Sequence, residues 1–169
     1  LLLGSRYALL RRAFTPWRGW LRPVREDARR VLVALGGCPE ESVRERVAEA
    51  LRLAHRGACE VRTADGSREL AEDMAWAAAA VCGAGTTAWE RAFMGLPSLL
   101  LVLADNQRRT AEALHAAGAA RSLGWHGDCS AEALAKALTR LLADAATRAV
   151  MARRGPDLVD GEGADRVAM

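Results

Sequence analysis

Three short apolar runs most constrain what this chain can fold into: Val31-Leu-Val-Ala-Leu35, Ala79-Ala-Val-Cys82 and Ser98-Leu-Leu-Leu-Val-Leu103. None shows the apolar–polar alternation of a strand with one wet face. Each is short, with a charge, glycine or proline at or near at least one end. Runs of that kind suit strands covered on both faces, as in a parallel sheet. Helical spacing fills the gaps between them. Glu40 to Ala54 places Val43, Val47, Ala50, Leu51 and Ala54 along one stripe. Strands alternating with helices predict an α/β fold, a Rossmann-like open parallel sheet.

The remaining elements follow from turn and cap signals. Cys59 to Thr63 reads as a short strand and Ser67 to Trp76 as a helix. Thr86 to Met94 predicts a helix closed by Gly95 at its C′ position. Asn106 to Ala117 predicts another, stopped by Gly118. Arg121 to Trp125 is a short strand. Ala131 to Leu142 and Thr147 to Arg153 are helices, the second ended by Gly155-Pro156. Pro16, Gly19 and Pro23 prevent a long helix near the start. Residues 1–28 are therefore read as a connector from an N-terminal domain, packed on the domain formed by 29–169.

In a parallel sheet, ligands sit beyond the carboxyl ends of the strands. Three turns qualify by sequence: Gly36-Gly37, Gly83-Ala-Gly85-Thr86-Thr87, and Asp105-Asn106-Gln107. Paired glycines allow a phosphate to approach the backbone, and equally serve a tight turn that needs positive φ. The amides at a helix start favour an anion. Glu90, one turn into that helix, can accept from a ribose diol. Thr87-Ala-Trp-Glu90 is also a capping box, in which Thr87 and Glu90 serve each other's amides. Asp105 or Asn106 can cap the next helix, whereas Asn106 and Gln107 also suit sugar hydroxyls and acetamido groups.

Composition excludes several classes. The 169 residues carry 24 cations and 21 acids, well mixed, for a net charge of +3. No one-sign block marks a nucleic-acid face. The four cysteines are scattered without Cys-x-x-Cys or Cys/His clustering, so no metal or disulfide framework is indicated. No run approaches the ~18 apolar residues of a membrane span, so stable membrane insertion is not expected. Reduced thiols fit a cytoplasmic setting. The histidines are poor candidates for a catalytic base: His55 sits at a helix C-terminus and His115 inside a helix, and His126, in a loop, is the only one to watch. The chain starts without methionine and reads as a segment of a longer protein.

Five stretches together carry a resemblance. These are Leu2-Leu-Gly-Ser-Arg-Tyr-Ala-Leu-Leu-Arg-Arg-Ala-Phe14, Val31 to Gly37, Gly83 to Glu90, Gly95-Leu-Pro-Ser98 and Ala104-Asp-Asn-Gln107. In that order they resemble the C-terminal half of the nucleotide-sugar hydrolases of pseudaminic acid synthesis. Those enzymes are similar to the lipid-II N-acetylglucosaminyltransferases, with which they share the glycosyltransferase family 28 C-terminal domain. The resemblance implies a UDP-sugar substrate, no cofactor and the C-terminal half of a two-Rossmann-domain (GT-B) enzyme. It implies that Gly83, Gly85, Thr86 and Thr87 hold a diphosphate and Glu90 the ribose. It puts Asn106, as the catalytic residue, near the anomeric carbon, and Gln107 on the sugar. Gly36 and Gly37 line the cleft. The reaction implied is release of UDP from a 2,4-diacetamido-trideoxy hexose, with the general base on an N-terminal domain. Alternatives are the donor half of a UDP-sugar glycosyltransferase and a non-catalytic nucleotide-binding module. Two features depart from the family pattern: the short link His55-Arg-Gly-Ala58, and Cys38-Pro39 after the first glycine pair.

Overall fold

The three apolar runs form the middle of a five-stranded sheet. A computed structural model describes residues 4–36, 40–55, 59–64 and 69–168. The strands are β1 (Arg30–Ala34), β2 (Glu60–Thr63), β3 (Ala79–Gly83), β4 (Ser98–Val102) and β5 (Arg121–Trp125). All neighbours pair in parallel, in the order β2-β1-β3-β4-β5. The helices are α1 (Glu41–His55), α2 (Leu70–Trp76), α3 (Thr87–Phe93), α4 (Arg108–Ala116), α5 (Ala131–Ala143), α6 (Ala145–Leu158) and α7 (Gly163–Ala168). This is the expected Rossmann-like α/β fold.

Alternate residues of each central strand feed opposite cores, as the pleat requires. Leu32, Ala80, Cys82, Leu100 and Val102 pack with residues of α2, α3 and α4. Val31, Val33, Val81, Leu99 and Leu101 pack with residues of α1 and α5. Every residue of β3 and β4 is buried, which explains why their sequences show no polar alternation. β2 is an edge strand with all four residues exposed, so nothing buried gave it a periodic signal.

Ala8, Leu10, Phe14, Trp17 and Trp20 pack on the core shared with α2, α3 and α4, and Ala28 joins the opposite core. Phe14 is buried, edge-on to Phe93 with ring centres 6.4 Å apart. Trp17 and Trp20 stack edge to face at 5.2 Å and pack against the same core. Arg22 donates to the carbonyls of Met74, Ala77 and Met94, closing the ends of α2 and α3. The buried Arg148 donates to the carbonyls of Arg25, Glu26 and Leu141. These arginines act as carbonyl clamps, holding an irregular segment whose backbone has few partners of its own.

Gly155-Pro156 does not end the second C-terminal helix as expected; α6 runs on to Leu158. Pro156 removes the amide that would bond the carbonyl of Ala152. That carbonyl instead lies against Gly95, where a Cβ would come within 2.4 Å of it. Gly155 in turn lies against the carbonyl of Ala92. The two glycines let α3 and α6 approach backbone to backbone. Gly95 also closes α3 with φ +55°, as the sequence predicts. The helix expected from Asn106 starts as a 3-10 turn, Asp105–Gln107, before α4. Ser67, the expected start of the helix before β3, lies outside the described residues.

Candidate functional site

The strand order reverses direction between β1 and β3. In doubly wound sheets the crevice outside the carboxyl ends at that switch point is where ligands bind. Gly36 follows β1, and the turn Gly83–Thr86 leads from β3 into α3. The Asp105–Gln107 turn follows β4, beside them. Parallel pairing puts all three turns on one edge of the sheet. Gly37 lies outside the described residues.

Gln107 joins two of these turns. Its Oε1 accepts from the amides of Ala84 and Leu103, both at 3.1 Å. One side chain therefore ties the β3 turn to the end of β4. Asn106 is exposed beside it. Asp105 is also exposed and pairs with Arg108 at 3.0 Å. Neither Asp105 nor Asn106 caps α4: its N-cap is Gln107, with no side-chain cap bond.

The three glycines of the edge have different reasons to be glycine. Gly36 has φ +88°, a conformation that L-residues avoid. A Cβ on Gly83 would sit 2.9 Å from Leu103 Cδ1 and 3.1 Å from the carbonyl oxygen of Leu35. Packing at the strand ends therefore excludes a side chain there. Gly85 has neither reason. Its φ is not in the left-handed range, and a Cβ would meet only Gln107 Nε2, at an ordinary 3.6 Å. Nothing among the described residues demands glycine at 85.

The capping box is not formed. The N-cap of α3 is Thr86, with no side-chain cap bond. Thr87 Oγ1 instead accepts from Arg91 Nη1 at 2.9 Å. The Glu90 carboxylate accepts from Arg11: Nε and Nη2 each at 2.7 Å, and the backbone amide at 3.3 Å. Both oxygens are engaged, and Glu90 is only 4% exposed. The pairing holds the Arg11 guanidinium in its charged form, mainly through its hydrogen bonds to Glu90. Glu90 thus presents no free carboxylate while residues 4–28 stay docked.

Among the described residues, the amides of Gly85, Thr86 and Thr87 have no hydrogen-bond partner. Beneath them lies Arg91, 1% exposed, whose Nη2 donates to the carbonyl of Gly83. Sequence reasoning missed Arg91. Its only signal was a charge at a helix position that faces the core, two residues before Phe93. Three unpaired amides beside a buried cation are a chemistry that can hold an anion. α3 has only seven residues, so the loop amides and Arg91, rather than a long helix dipole, supply the positive field.

His126 follows β5 at the same edge. Its ring lies against Trp125, with centres 4.8 Å apart, and Arg108 sits over Trp125. His126 Nδ1 is buried with no hydrogen-bond partner among the described residues.

The fold is that of the C-terminal half of GT-B enzymes. The glycosyltransferase family 28 C-terminal domain model matches residues 20–161, and the chain belongs to that family. A calicheamicin glycosyltransferase, CalG4, is 22% identical with TM-score 0.65, over 87% of this chain and 44% of its own. MurG from Acinetobacter baumannii is 17% identical with TM-score 0.65, over 86% of this chain and 52% of its own. The spinosyn rhamnosyltransferase SpnG, complexed with thymidine diphosphate, is 20% identical with TM-score 0.58, over 92% and 48% respectively. At these identities the likeness shows the fold. The chain spans about half the length of these solved structures. No curated protein matches the sequence.

Proposed function

We propose that this chain is the nucleotide-sugar-binding half of a GT-B glycosyltransferase. The observation that carries the reading is the β3 turn, where Gly85 and three unpaired amides lie over the buried Arg91 at the switch point of the sheet. A diphosphate fits that chemistry, and one of the similar structures is a complex with thymidine diphosphate. Gly83, Gly85, Thr86 and Thr87 then hold the diphosphate. Gly36 lines the crevice between β1 and β3. Asn106 and Gln107 face the sugar, with Gln107 also fixing the two turns. Glu90 reaches a ribose when Arg11 yields its carboxylate. A second, N-terminal domain completes the cleft and supplies the acceptor's binding surface and the base.

Calorimetry on this chain with UDP, thymidine diphosphate, ADP and uridine tests the reading. The two pyrimidine diphosphates are expected to bind more tightly than uridine. Equal binding of UDP and uridine sinks the diphosphate loop. UDP and ADP binding alike leaves an anion site without a base pocket.

A sugar-nucleotide hydrolase of pseudaminic acid synthesis is the second reading. The comparisons favour the transferase over it. What favours the hydrolase is that the Tyr7–Arg11 motif, on which that resemblance partly rests, places Arg11 on Glu90 at this edge. The readings separate by assay. Joined to a family N-terminal domain, a transferase releases UDP only with an acceptor present. A hydrolase releases it from a 2,4-diacetamido sugar nucleotide with water alone, and Asn106→Ala slows that release. The chain by itself is expected to do neither, since general-base help is worth about 10²–10⁴-fold and comes from the other domain.

A further inference from the structure

Arg91 is a buried cation without an anion. It is 1% exposed, and no carboxylate among the described residues lies within ion-pair distance of it. Its Nε has no hydrogen-bond partner among them. The adjacent Cys82 thiol does not balance it: burial pushes Cys82 upward, outweighing the pull of Arg91, and the sulfur stays neutral. Glu90, next to it in sequence, is committed to Arg11. A charge so placed is costly unless it is compensated.

Its two hydrogen bonds point to the compensation. Nη2 fixes the carbonyl of Gly83, and Nη1 donates to Thr87 Oγ1. A hydroxyl that accepts from a guanidinium keeps its own proton for another acceptor. Among the described residues no such acceptor is present for Thr87. The unpaired amides of Gly85, Thr86 and Thr87 belong to the same turn. Three amides and the Thr87 hydroxyl proton of the turn are thus left as donors among the described residues, beside the Arg91 guanidinium that holds the Gly83 carbonyl.

We infer that Arg91 is the positioning residue of the anion site: it orients the Gly83–Thr87 turn from beneath, and its charge is balanced only by the anion that the turn binds. The inference rests on the nucleotide-diphosphate reading for the identity of that anion, and on the geometry alone for its charge. Arg91 does not touch the ligand. It acts through the Thr87 hydroxyl, the Gly83 carbonyl and its field.

The test uses this chain, inorganic pyrophosphate, UDP and uridine, with Arg91→Met, Arg91→Gln and Arg91→Lys. Pyrophosphate affinity should fall about tenfold or more in Arg91→Met and Arg91→Gln, which remove the charge that backs the turn. Arg91→Lys should recover part of that loss, because it keeps the charge without the fork. Uridine binding should not change. If Arg91→Met does not fold, the difference between Arg91→Gln and Arg91→Lys decides the question in the same way. Pyrophosphate binding that is equal in all variants, equally weak in Arg91→Lys and Arg91→Gln, or absent from the wild-type chain overturns the inference. UDP binding no tighter than pyrophosphate sinks the nucleotide reading and leaves the role of Arg91 standing.

Discussion

Glu90→Gln separates the tertiary role of Glu90 from the role its local sequence advertises. If Glu90 served a capping box, glutamine would replace it at little cost, since either side chain accepts from an amide. In the structure its partner is Arg11, 79 residues away. Glutamine offers one neutral acceptor where the carboxylate gives two charge-assisted bonds. Hydrogen bonds to charged groups are worth about 1.5–3 kcal/mol, against about 0.5–1.5 for neutral ones. Arg11 is 44% exposed, so water screens part of the pair. The expected loss is therefore about 1–2 kcal/mol. For a chain of this size each kcal/mol moves the midpoint by about 2–4 °C, so Tm should drop by about 2–8 °C. Arg11→Ala should cost more, because it leaves an ionised carboxylate buried without its cation. The double variant should then be more stable than the two single losses summed. Thermal melts of the four proteins make the cycle. Strictly additive losses, or a Glu90→Gln midpoint unchanged from wild type, would refute the pair as a fastening between residues 4–28 and α3.

Gly85→Ala should leave Tm unchanged or slightly higher, since its backbone and surroundings accept a Cβ and alanine restricts the unfolded chain. The same change should weaken UDP binding, and a variant that keeps full affinity removes the argument for backbone approach at 85. Gly83→Ala should instead lower Tm, because its Cβ would press on Leu103 and on the carbonyl of Leu35. The carboxyl of Asp160 is pushed down to about 2, chiefly by hydrogen bonds from Arg166, which also holds the carbonyl of Arg6. A folded value below the unfolded one means stability that is present above about pH 4 and lost as pH falls towards 2. Acid melts of Asp160→Asn should show a shallower loss over that window than wild type; parallel curves would remove Asp160 from the acid limb.

The strands and most helices were legible because their causes are local. β3 and β4 are buried on both faces, and unbroken apolar sequence is what that burial requires. Gly95 and Gly118, with φ of +55° and +69°, stand where the helix pattern stops. The misreadings share one origin. Gly155 looks like a terminator when only its own chain direction is considered. It is glycine because Ala92 of another helix lies against it. Thr87 and Glu90 have capping-box spacing, yet both found stronger partners, Arg91 and Arg11, once tertiary packing placed guanidinium groups beside them.

The candidate site divides in the same way. By itself the sequence determined that three glycine or polar turns follow buried parallel strands, and parallel strands put such turns on one edge. It also carried the family, through motifs spread over most of the chain. Only the tertiary structure decided the strand order that opens the crevice between β1 and β3, because edge strands such as β2 have no periodic signature of their neighbours. It alone showed that Gln107 stitches two turns together and that Glu90 is held by Arg11. It also showed that Arg91 is buried without an opposing charge among the described residues. Each of these is a contact between groups brought together by folding, and the energy of a charge depends on what surrounds it rather than on its place in the chain.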